Sequence, residues 1–454
     1  MGAGHPDDAH PHLFRAASAS QFSAFTNRHG ETMTRTQTGI DRRRFLRLAG
    51  ASAMAMAAAP VLASCATPGT DESTIRLGAL FPVTGTNALL GEESWRGVQI
   101  ATAMRNTAGG VAGKHVEMVF ADIPDVNSAT SEARRLVFNR NTKIGLGAYG
   151  SSLGLAASEI YSRTGNTYVE LGAVSEAITA RGYENVFRFN PTAKDMMARH
   201  MDFIEGYLAD ALGKPISELK VVMAHEDSSY GQSLVELAAP MAKDIGLANF
   251  RAEAYNAKST DLSSTVLRLK NLAPDVVIAV SYAADAVLLG RQIRDNNLRL
   301  GAFVGTGGGH SLASFQQALG PVADGVFDVD YAQVHIDPSY TPGIDEFVQE
   351  YRNRFGSDPA SGHSMANYTG ANLIFDILEM TGGDDDPVAF AEAAREMKRE
   401  PASTTAGWGF ELDEKNQNTL GQMFVMQWNG SKLETVFPPE AAVREPQLIT
   451  PFGL

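Results

Sequence analysis

The stretch Lys143–Ser158, KIGLGAYGSSLGLAAS, decides the fold. Its apolar run as far as Tyr149 predicts a strand, and Gly150 predicts a tight turn. The small residues from Ser151 onward predict a helix. The first N–H groups of a helix have no acceptor within it and lie at the positive end of the helix dipole, so this turn is suited to bind a carboxylate or phosphate. Ser151 and Ser152 add two hydroxyl groups there, unless one of them serves only as the N-cap.

The same stretch contains a glycine pattern that gives a second interpretation. Gly145, Gly147 and Gly150 spell G-x-G-x-x-G, and Glu170 follows at the end of a later predicted strand, where a ribose-binding acid would lie. Two observations argue against a dinucleotide site. The turn follows the third predicted strand of its domain, and no Lys, His or Tyr is grouped as an acid for hydride transfer.

Composition excludes several classes of function. The chain has 454 residues, 44% hydrophobic and 20% charged, which predicts a globular protein of two or more domains. The formal net charge is −14, and outside residues 1–65 there is no cluster of Lys and Arg, so nucleic acid is not an expected partner. One cysteine cannot form an intrachain disulfide, and the ten histidines show no metal-ligand spacing. We therefore expect no metal and no cofactor.

The first 65 residues read as a disordered segment followed by an export signal. Asp41–Arg47, DRRRFLR, resembles the twin-arginine motif, and Met33 just before it is an alternative start. The Ala-rich segment Leu48–Ser64 suits the apolar part of a signal peptide and is too short and weakly apolar to span a membrane. The letters LASC ending at Cys65 match the bacterial lipobox, which implies diacylation of Cys65. Residues 66–73 are then expected to form a short flexible tether.

The body of the chain alternates predicted strands and helices, which indicates parallel sheets covered by helices on both faces. Two such sets predict two α/β lobes. The chain then returns to helices and closes with three further strand-like segments. Those segments are Trp408–Leu412, Gln422–Trp428 and Leu433–Phe437.

Ligands of open parallel sheets bind beyond the carboxyl ends of the strands. The loops at those ends are rich in Gly, Ser and Tyr, a composition that favours binding and contains no pairing of a nucleophile with a base. His225 and His310 lie in or beside these loops, and we expect both at the surface. The loops are Thr84–Leu90, Gly150–Ser152, Gly172–Ser175, Ser228–Tyr230, Ser281–Tyr282 and Gly305–Gly309.

Six segments between Thr74 and Pro438 together resemble the type I periplasmic substrate-binding proteins of ABC importers, specifically the branched-chain amino-acid (leucine/isoleucine/valine) binding group. They are GALFPVTGTNALLGEE, AGGVAGKHVEMVFAD, GAYGSSLGLAAS, ITARGYENVFRFNP, AHEDSSYGQSL and FELDEKNQN. The resemblance implies two Rossmann-like lobes with parallel sheets joined by three crossovers, which close on a ligand by hinge motion. The crossovers are expected near Phe189–Ala193, Asp324–Tyr331 and Ala406–Phe410.

The resemblance also implies roles for particular residues. Ser151, with Gly150 and Ser152 around it, falls where the family binds the ligand carboxylate. The other implied ligand-binding positions are Leu90 in the first loop, Ala173 and Ser175 in the second carboxylate loop, and Tyr230 and Tyr282 on the second lobe.

Two departures from the family pattern concern charge. Gly307 takes the place of the family's acid for the α-ammonium group, so we expect poor discrimination for that group. The family's Ser-Pro-Gly-Ala loop reads Glu170 to Ala173, and Glu170 either supplies the missing charge or only caps its strand.

These observations predict a lipid-anchored extracytoplasmic receptor that is not an enzyme. It would deliver an amino acid or a related small carboxylate or amide to the permease of an ABC importer, with the lipid anchor as its contact with the membrane. The alternatives are an exported NAD(P)-dependent oxidoreductase and a ligand-binding regulator of cell-wall synthesis or signalling on the same fold. The expected lobes comprise residues 74–190 with 331–406 and residues 191–330 with 407–438, followed by a tail, 439–454.

Overall fold

The computed structural model describes residues 73–449. Residues 1–72 and 450–454 lie outside this part, and with them the twin-arginine motif and the lipobox Cys65. The described chain alternates strands and helices as the sequence predicts. The strands are β1 (Thr74–Phe81), β2 (His115–Asp122), β3 (Ile144–Gly147), β4 (Thr167–Glu170), β5 (Val186–Arg188), β6 (Lys220–Glu226), β7 (Asn249–Tyr255), β8 (Val276–Val280), β9 (Ala302–Thr306), β10 (Phe327–Asp330), β11 (Phe424–Asn429) and β12 (Lys432–Phe437).

The helices pack on the sheets and run between the strands. They are α1 (Ala88–Thr107), α2 (Val126–Arg134), α3 (Ser151–Arg163), α4 (Ala177–Ala180), α5 (Ala193–Phe203), α6 (Ala209–Ala211), α7 (Ser229–Asp244), α8 (Ser263–Leu272), α9 (Ala283–Asp295), α10 (Ala313–Leu319), α11 (Ile344–Phe355), α12 (His363–Met380) and α13 (Pro387–Glu396). The π-helical turns Arg135–Asn139 and Ile204–Leu208 extend α2 and α5. Within residues 73–449, no helix is both long and apolar enough to span a membrane.

The strands form two sheets. The first has the order β2-β1-β3-β4-β5 and is parallel throughout. The second has the order β12-β11-β10-β9-β8-β6-β7 and is parallel from β10 to β7. We call each sheet with the helices packed on it the first and the second lobe. This α/β architecture confirms the predicted fold class.

Three expectations about strands in the last part of the chain and in the second sheet need correction. Trp408–Leu412 forms no strand, and its backbone makes only isolated bridges, because this segment passes between the lobes and buries Trp408 and Phe410 at the junction. The two last strands, β11 and β12, pair antiparallel, whereas wholly parallel sheets were expected. Strand β10 was not predicted, because it is short and alternates aspartates with apolar residues.

Local sequence explains where individual helices begin. At the start of α5, the Thr192 hydroxyl accepts the N–H of Asp195 at 3.1 Å, and the Asp195 carboxylate accepts the N–H of Thr192 at 2.8 Å. This reciprocal capping box satisfies two N–H groups that the helix itself leaves unpaired. At α13, Asp386 caps the helix and Pro387 takes its first position, where a missing N–H costs nothing.

The chain passes between the lobes three times, after β5, after β10 and between α13 and β11, and these passages are bonded to one another. The Asn190 side chain donates to the Tyr331 hydroxyl at 3.0 Å, and the Asn418 side chain donates to the carbonyl of Phe189 at 2.9 Å. The second crossover was expected near Asp324–Tyr331, but most of that segment is strand β10. The passage itself begins after Asp330, where β10 ends. The junction therefore places the ends of β3, β4 and β10 around one cleft.

Candidate functional site

The first-lobe wall of the cleft is the N-terminus of α3. Gly150 has a φ of 97°, a left-handed conformation that favours glycine, and it turns the chain from β3 into the helix. Ser151 is the first residue of the helix and is buried. The N–H groups of Leu153 and Gly154 donate to the Gly150 carbonyl. The two N–H groups before them have no intrahelical acceptor and are available to a ligand oxygen.

The Ser151 hydroxyl is held by the neighbouring loop. The N–H of Ser175 donates to Ser151 Oγ at 3.2 Å, so the serine oxygen accepts one bond and keeps its own proton for another acceptor. The Ser175 hydroxyl lies 2.6 Å from that of Ser233 on α7 and links the two lobes. Ser152 makes a second link, 3.2 Å between its hydroxyl and that of Ser229.

Glu170 stabilises the backbone at the ends of β3 and β4. Its Oε1 accepts four backbone N–H groups at 2.6 to 3.2 Å, and its Oε2 accepts the Tyr168 hydroxyl at 3.3 Å. Burial raises the pKa of Glu170 to about 7, opposed by the bonds from Ala173, Gly172 and Ala148. Because its oxygens are occupied, Glu170 does not supply the missing charge for a ligand. The N–H of Ala173 is occupied by the same carboxylate.

The second-lobe wall is aromatic. Tyr230 on α7 donates its hydroxyl to the carbonyl of Thr306, and its ring lies 5.6 Å from that of Tyr282. The Tyr282 ring also contacts Tyr149 of the first lobe, with centroids 6.3 Å apart. The rings therefore meet across the cleft.

Between these walls lies a narrow cavity, with about 30 Å³ of space for the centre of a water-sized sphere. Of the nine predicted binding residues, Gly150, Ser151, Ala173, Tyr230 and Tyr282 line it. Leu90 lies beside it, packed on Tyr149 and Leu312. Ser152 and Ser175 do not line the cavity and instead make contacts between the lobes. Gly307 does not line it either, whereas the next residue, Gly308, does.

Comparison with known proteins agrees with this architecture. A family model described as periplasmic binding protein matches residues 74–432. The chain belongs to the periplasmic binding protein family. The Leu/Ile/Val-binding protein homolog 7 of Brucella suis is 39% identical over 396 residues, 87% of this chain and 98% of that protein.

Solved structures of such periplasmic binding proteins share the fold. A branched-chain amino acid transporter substrate binding protein from Streptococcus pneumoniae, in complex with isoleucine, has a TM-score of 0.67 at 19% identity, covering 80% of this chain and 100% of that one. A solute binding protein of an ABC transporter from Rhodopseudomonas palustris, in complex with 3,4-dihydroxybenzoic acid, has a TM-score of 0.68 at 19% identity, covering 83% and 99%.

As a periplasmic binding protein, the chain is extracytoplasmic and is not an enzyme, which removes the oxidoreductase alternative. The structure gives the physical reasons. A side chain at Gly145 would overlap the ring of Tyr161, so this glycine serves packing within the lobe. Glu170, the candidate ribose-binding acid, is bonded to backbone N–H groups.

The prediction that His225 and His310 lie at the surface is wrong. Both are buried, and neither lines the cavity. The His310 ring lies 5.3 Å from that of Phe315, and burial lowers its pKa to about 4. The apolar helix α10 that follows His310 is what covers it.

Sequence reasoning missed five residues of the cavity wall. They are Tyr149, Met196, Asp330, Tyr331 and His363. Tyr149 could have been found, since it ends the apolar run that the sequence predicts as a strand, whereas Tyr331 follows a strand that was not predicted. Asp330 ends the unpredicted strand β10, and His363 begins α12, more than 200 residues after Ser151. Asp330 and His363 have no signal in the local sequence.

Proposed function

We propose that this periplasmic binding protein receives a small solute with a carboxylate or carbonyl oxygen and delivers it to an ABC importer. The observation that carries the proposal is the cavity between the lobes, which has the N-terminus of α3 and Ser151 on one side and Tyr230 and Tyr282 on the other. The division of the chain near residues 190, 330 and 406 into lobes that close on the ligand is part of this proposal.

The ligands of related structures support the role of the first-lobe wall. Isoleucine and 3,4-dihydroxybenzoic acid differ in their other groups, but each carries a carboxylate. The helix dipole and the free N–H groups of α3 favour such an anion. In this chain the carboxylate therefore binds at Ser151, and the rest of the molecule contacts the tyrosines.

Native mass spectrometry of protein purified without unfolding tests the proposal. A retained mass, or a rise in melting temperature with the twenty L-amino acids, their 2-oxo acids, their amides or benzoate, identifies the ligand class. Uptake of that compound should fall in cells that lack the gene and return with the intact gene. Binding without any change in uptake would favour the regulator on the same fold, and no binding at all would overturn the proposal.

We also propose that the protein is lipid-anchored through Cys65, which lies outside the described residues. The sequence LASC supports this, together with the twin-arginine motif before it. Cys65→Ala should abolish labelling by a fatty-acid analogue and signal cleavage at this site. Arg42→Lys with Arg43→Lys should stop export while leaving the lipobox intact. Labelling that persists without Cys65 would refute the anchor.

A further inference from the structure

We propose that Asp330, assisted by His363, recognises a cationic ammonium group of the ligand. The ligand of this cavity is then a zwitterion, with its carboxylate at Ser151 and its amine at Asp330. This inference rests on the proposed function. It gives Asp330 the role of the acid that the loop containing Gly307 does not supply.

Asp330 and His363 lie in the cavity wall with free hydrogen-bonding atoms. Their side chains are 1% and 4% exposed, and the shortest distance between Asp330 Oδ1 and His363 Nε2 is 3.7 Å, too long for a hydrogen bond. Asp330 Oδ1 accepts the N–H of Tyr331 at 2.8 Å. Among the described residues, Asp330 Oδ2 and both ring nitrogens of His363 have no hydrogen-bond partner. Buried polar atoms are seldom left unpaired, so these atoms point to a bound group.

Gly307 makes room for this carboxylate. A Cβ placed on Gly307 would lie 3.1 Å from Asp330 Oδ1, tighter than ordinary van der Waals contact. The Asp330 carboxylate therefore occupies space beside the loop position from which the family's acid would project. The hydroxyl of Ser311 donates to the Gly308 carbonyl at 3.3 Å, and it also lies near enough to the Asp330 carboxyl group to oppose the rise in its pKa. The proposal therefore places the acid at the end of β10, beside the loop that follows the adjacent strand β9.

The surroundings favour a cation. No lysine or arginine is among the residues that line the cavity. Burial raises the pKa of Asp330, so a cation bound beside it would favour the ionised form of its carboxyl group. The His363 ring is held edge-on by Tyr149 and Tyr331, with centroids 5.0 and 4.8 Å apart. Burial lowers the pKa of His363, which keeps the ring neutral. Aromatic faces attract a cation further.

The two ends of the cavity therefore differ in charge. The N-terminus of α3 offers partial positive charge and N–H donors, whereas Asp330 offers a carboxyl group that a bound ammonium group would stabilise in its ionised form. A carboxylate without an amine would satisfy only the first end and would lie against Asp330. We therefore expect matched ligands with and without the ammonium group to differ strongly in affinity.

Calorimetry with matched pairs tests the inference. Each L-amino acid that binds is compared with its 2-oxo acid, for example leucine with 4-methyl-2-oxopentanoate. The amino acid should bind at least a hundredfold more tightly to the native protein. Asp330→Asn should weaken amino-acid binding at least thirtyfold and change 2-oxo acid binding less than threefold.

Asp328→Asn is the matched control. Asp328 is also buried on β10, two residues away and on the same face of the strand, and neither of its carboxylate oxygens has a hydrogen-bond partner among the described residues, but it does not line the cavity. Its amide variant should keep the preference for the amino acid. If Asp330→Asn melts without a cooperative transition, Asp330→Ser replaces it, and the ratio measured on the native protein stands by itself.

The outcomes separate the two proposals. A 2-oxo acid or benzoate that binds the native protein within tenfold of the best amino acid overturns the ammonium site and leaves the receptor proposal standing. Equal losses for Asp328→Asn and Asp330→Asn also overturn it, because the effect would then be structural. Failure of every compound to bind overturns the receptor proposal and this inference with it.

Discussion

Two buried carboxyl groups lie at strand ends in opposite lobes, Glu170 at the end of β4 and Asp330 at the end of β10, and they differ in how their oxygens are used. Glu170 in the first lobe accepts four backbone N–H groups through one oxygen. Asp330 in the second lobe has an oxygen without a partner among the described residues. Burial alone therefore does not distinguish a structural acid from one available to a ligand. The hydrogen-bond partners of each oxygen do so only together with the position of the side chain, since Asp328 has no partner for either oxygen and does not line the cavity.

The same contrast extends to the two walls of the cavity. The first-lobe wall presents backbone groups at the start of α3, fixed by the loop that Glu170 holds. The second-lobe wall presents aromatic side chains and Asp330. Backbone donors suit a group that many ligands share, such as a carboxylate, whereas side chains can change from one protein to another. The second-lobe wall should therefore determine specificity.

The largest expected effect is on stability. Glu170→Ala leaves the N–H groups of Ala148, Gly172 and Ala173 without their acceptor, while that of Leu171 keeps the Gly147 carbonyl, and should lower the free energy of unfolding by about 3–5 kcal/mol. Asp330→Asn keeps a side-chain oxygen that can accept the N–H of Tyr331 and should lower it by less than about 1 kcal/mol. Urea unfolding curves measure both. A smaller loss for Glu170→Ala than for Asp330→Asn would reverse the roles assigned to these acids.

A second expectation concerns pH. The pKa of Glu170 is raised to about 7 in the folded protein, so the folded state holds a proton that the unfolded state releases from about pH 4.5 upward. Stability is then greatest below pH 4.5 with respect to this group and is lost as pH rises to 7, by on the order of 3 kcal/mol. Glu170→Gln should remove this contribution.

The measurement is the difference in unfolding free energy between the native protein and Glu170→Gln at pH 5 and at pH 8. The buried histidines titrate equally in both proteins and cancel. Asp285, whose pKa burial also raises to about 7, remains in both. A difference that is the same at the two pH values would show that Glu170 is ionised in the folded protein.

A third expectation concerns the first-lobe wall. Ser151→Ala removes one hydrogen bond to a charged group, worth about 1.5–3 kcal/mol, and should weaken ligand binding roughly tenfold to a hundredfold. Ser162→Ala, at the far end of the same helix, is the control and should bind normally. Titration calorimetry decides. An unchanged affinity for Ser151→Ala would place the ligand carboxylate elsewhere.

The smallest expected effect concerns the serine contacts between the lobes. Ser175→Ala loses the 2.6 Å bond to Ser233 and should weaken binding by about threefold to tenfold, since a neutral bond contributes about 1 kcal/mol. Ser152→Ala loses only the 3.2 Å contact with Ser229 at the half-exposed rim and should change affinity by less than about threefold. The opposite ranking would show that the outer pair holds the lobes together.

The sequence by itself determined the alternation of strands and helices, the turn at Gly150 and the aromatic residues Tyr230 and Tyr282. These features are encoded locally: hydrophobic periodicity sets the elements, and glycine with serine marks the turn. The order of the loops was enough to place Gly150, Ser151 and Ala173 at one end of the first sheet. The short strand β10 was not predicted, because its sequence FDVD lacks the apolar run that is typical of a central strand.

Only the tertiary structure decided what the two carboxylates do. Glu170 meets its N–H partners because β3 and β4 end side by side, and Asp330 meets His363 because the chain passes back to the first lobe directly after β10. Tyr149 and Tyr282 touch although 133 residues separate them along the chain. Local sequence fixes the conformation of a segment, whereas the satisfaction of a buried polar atom depends on which distant groups the packing brings within about 3 Å of it.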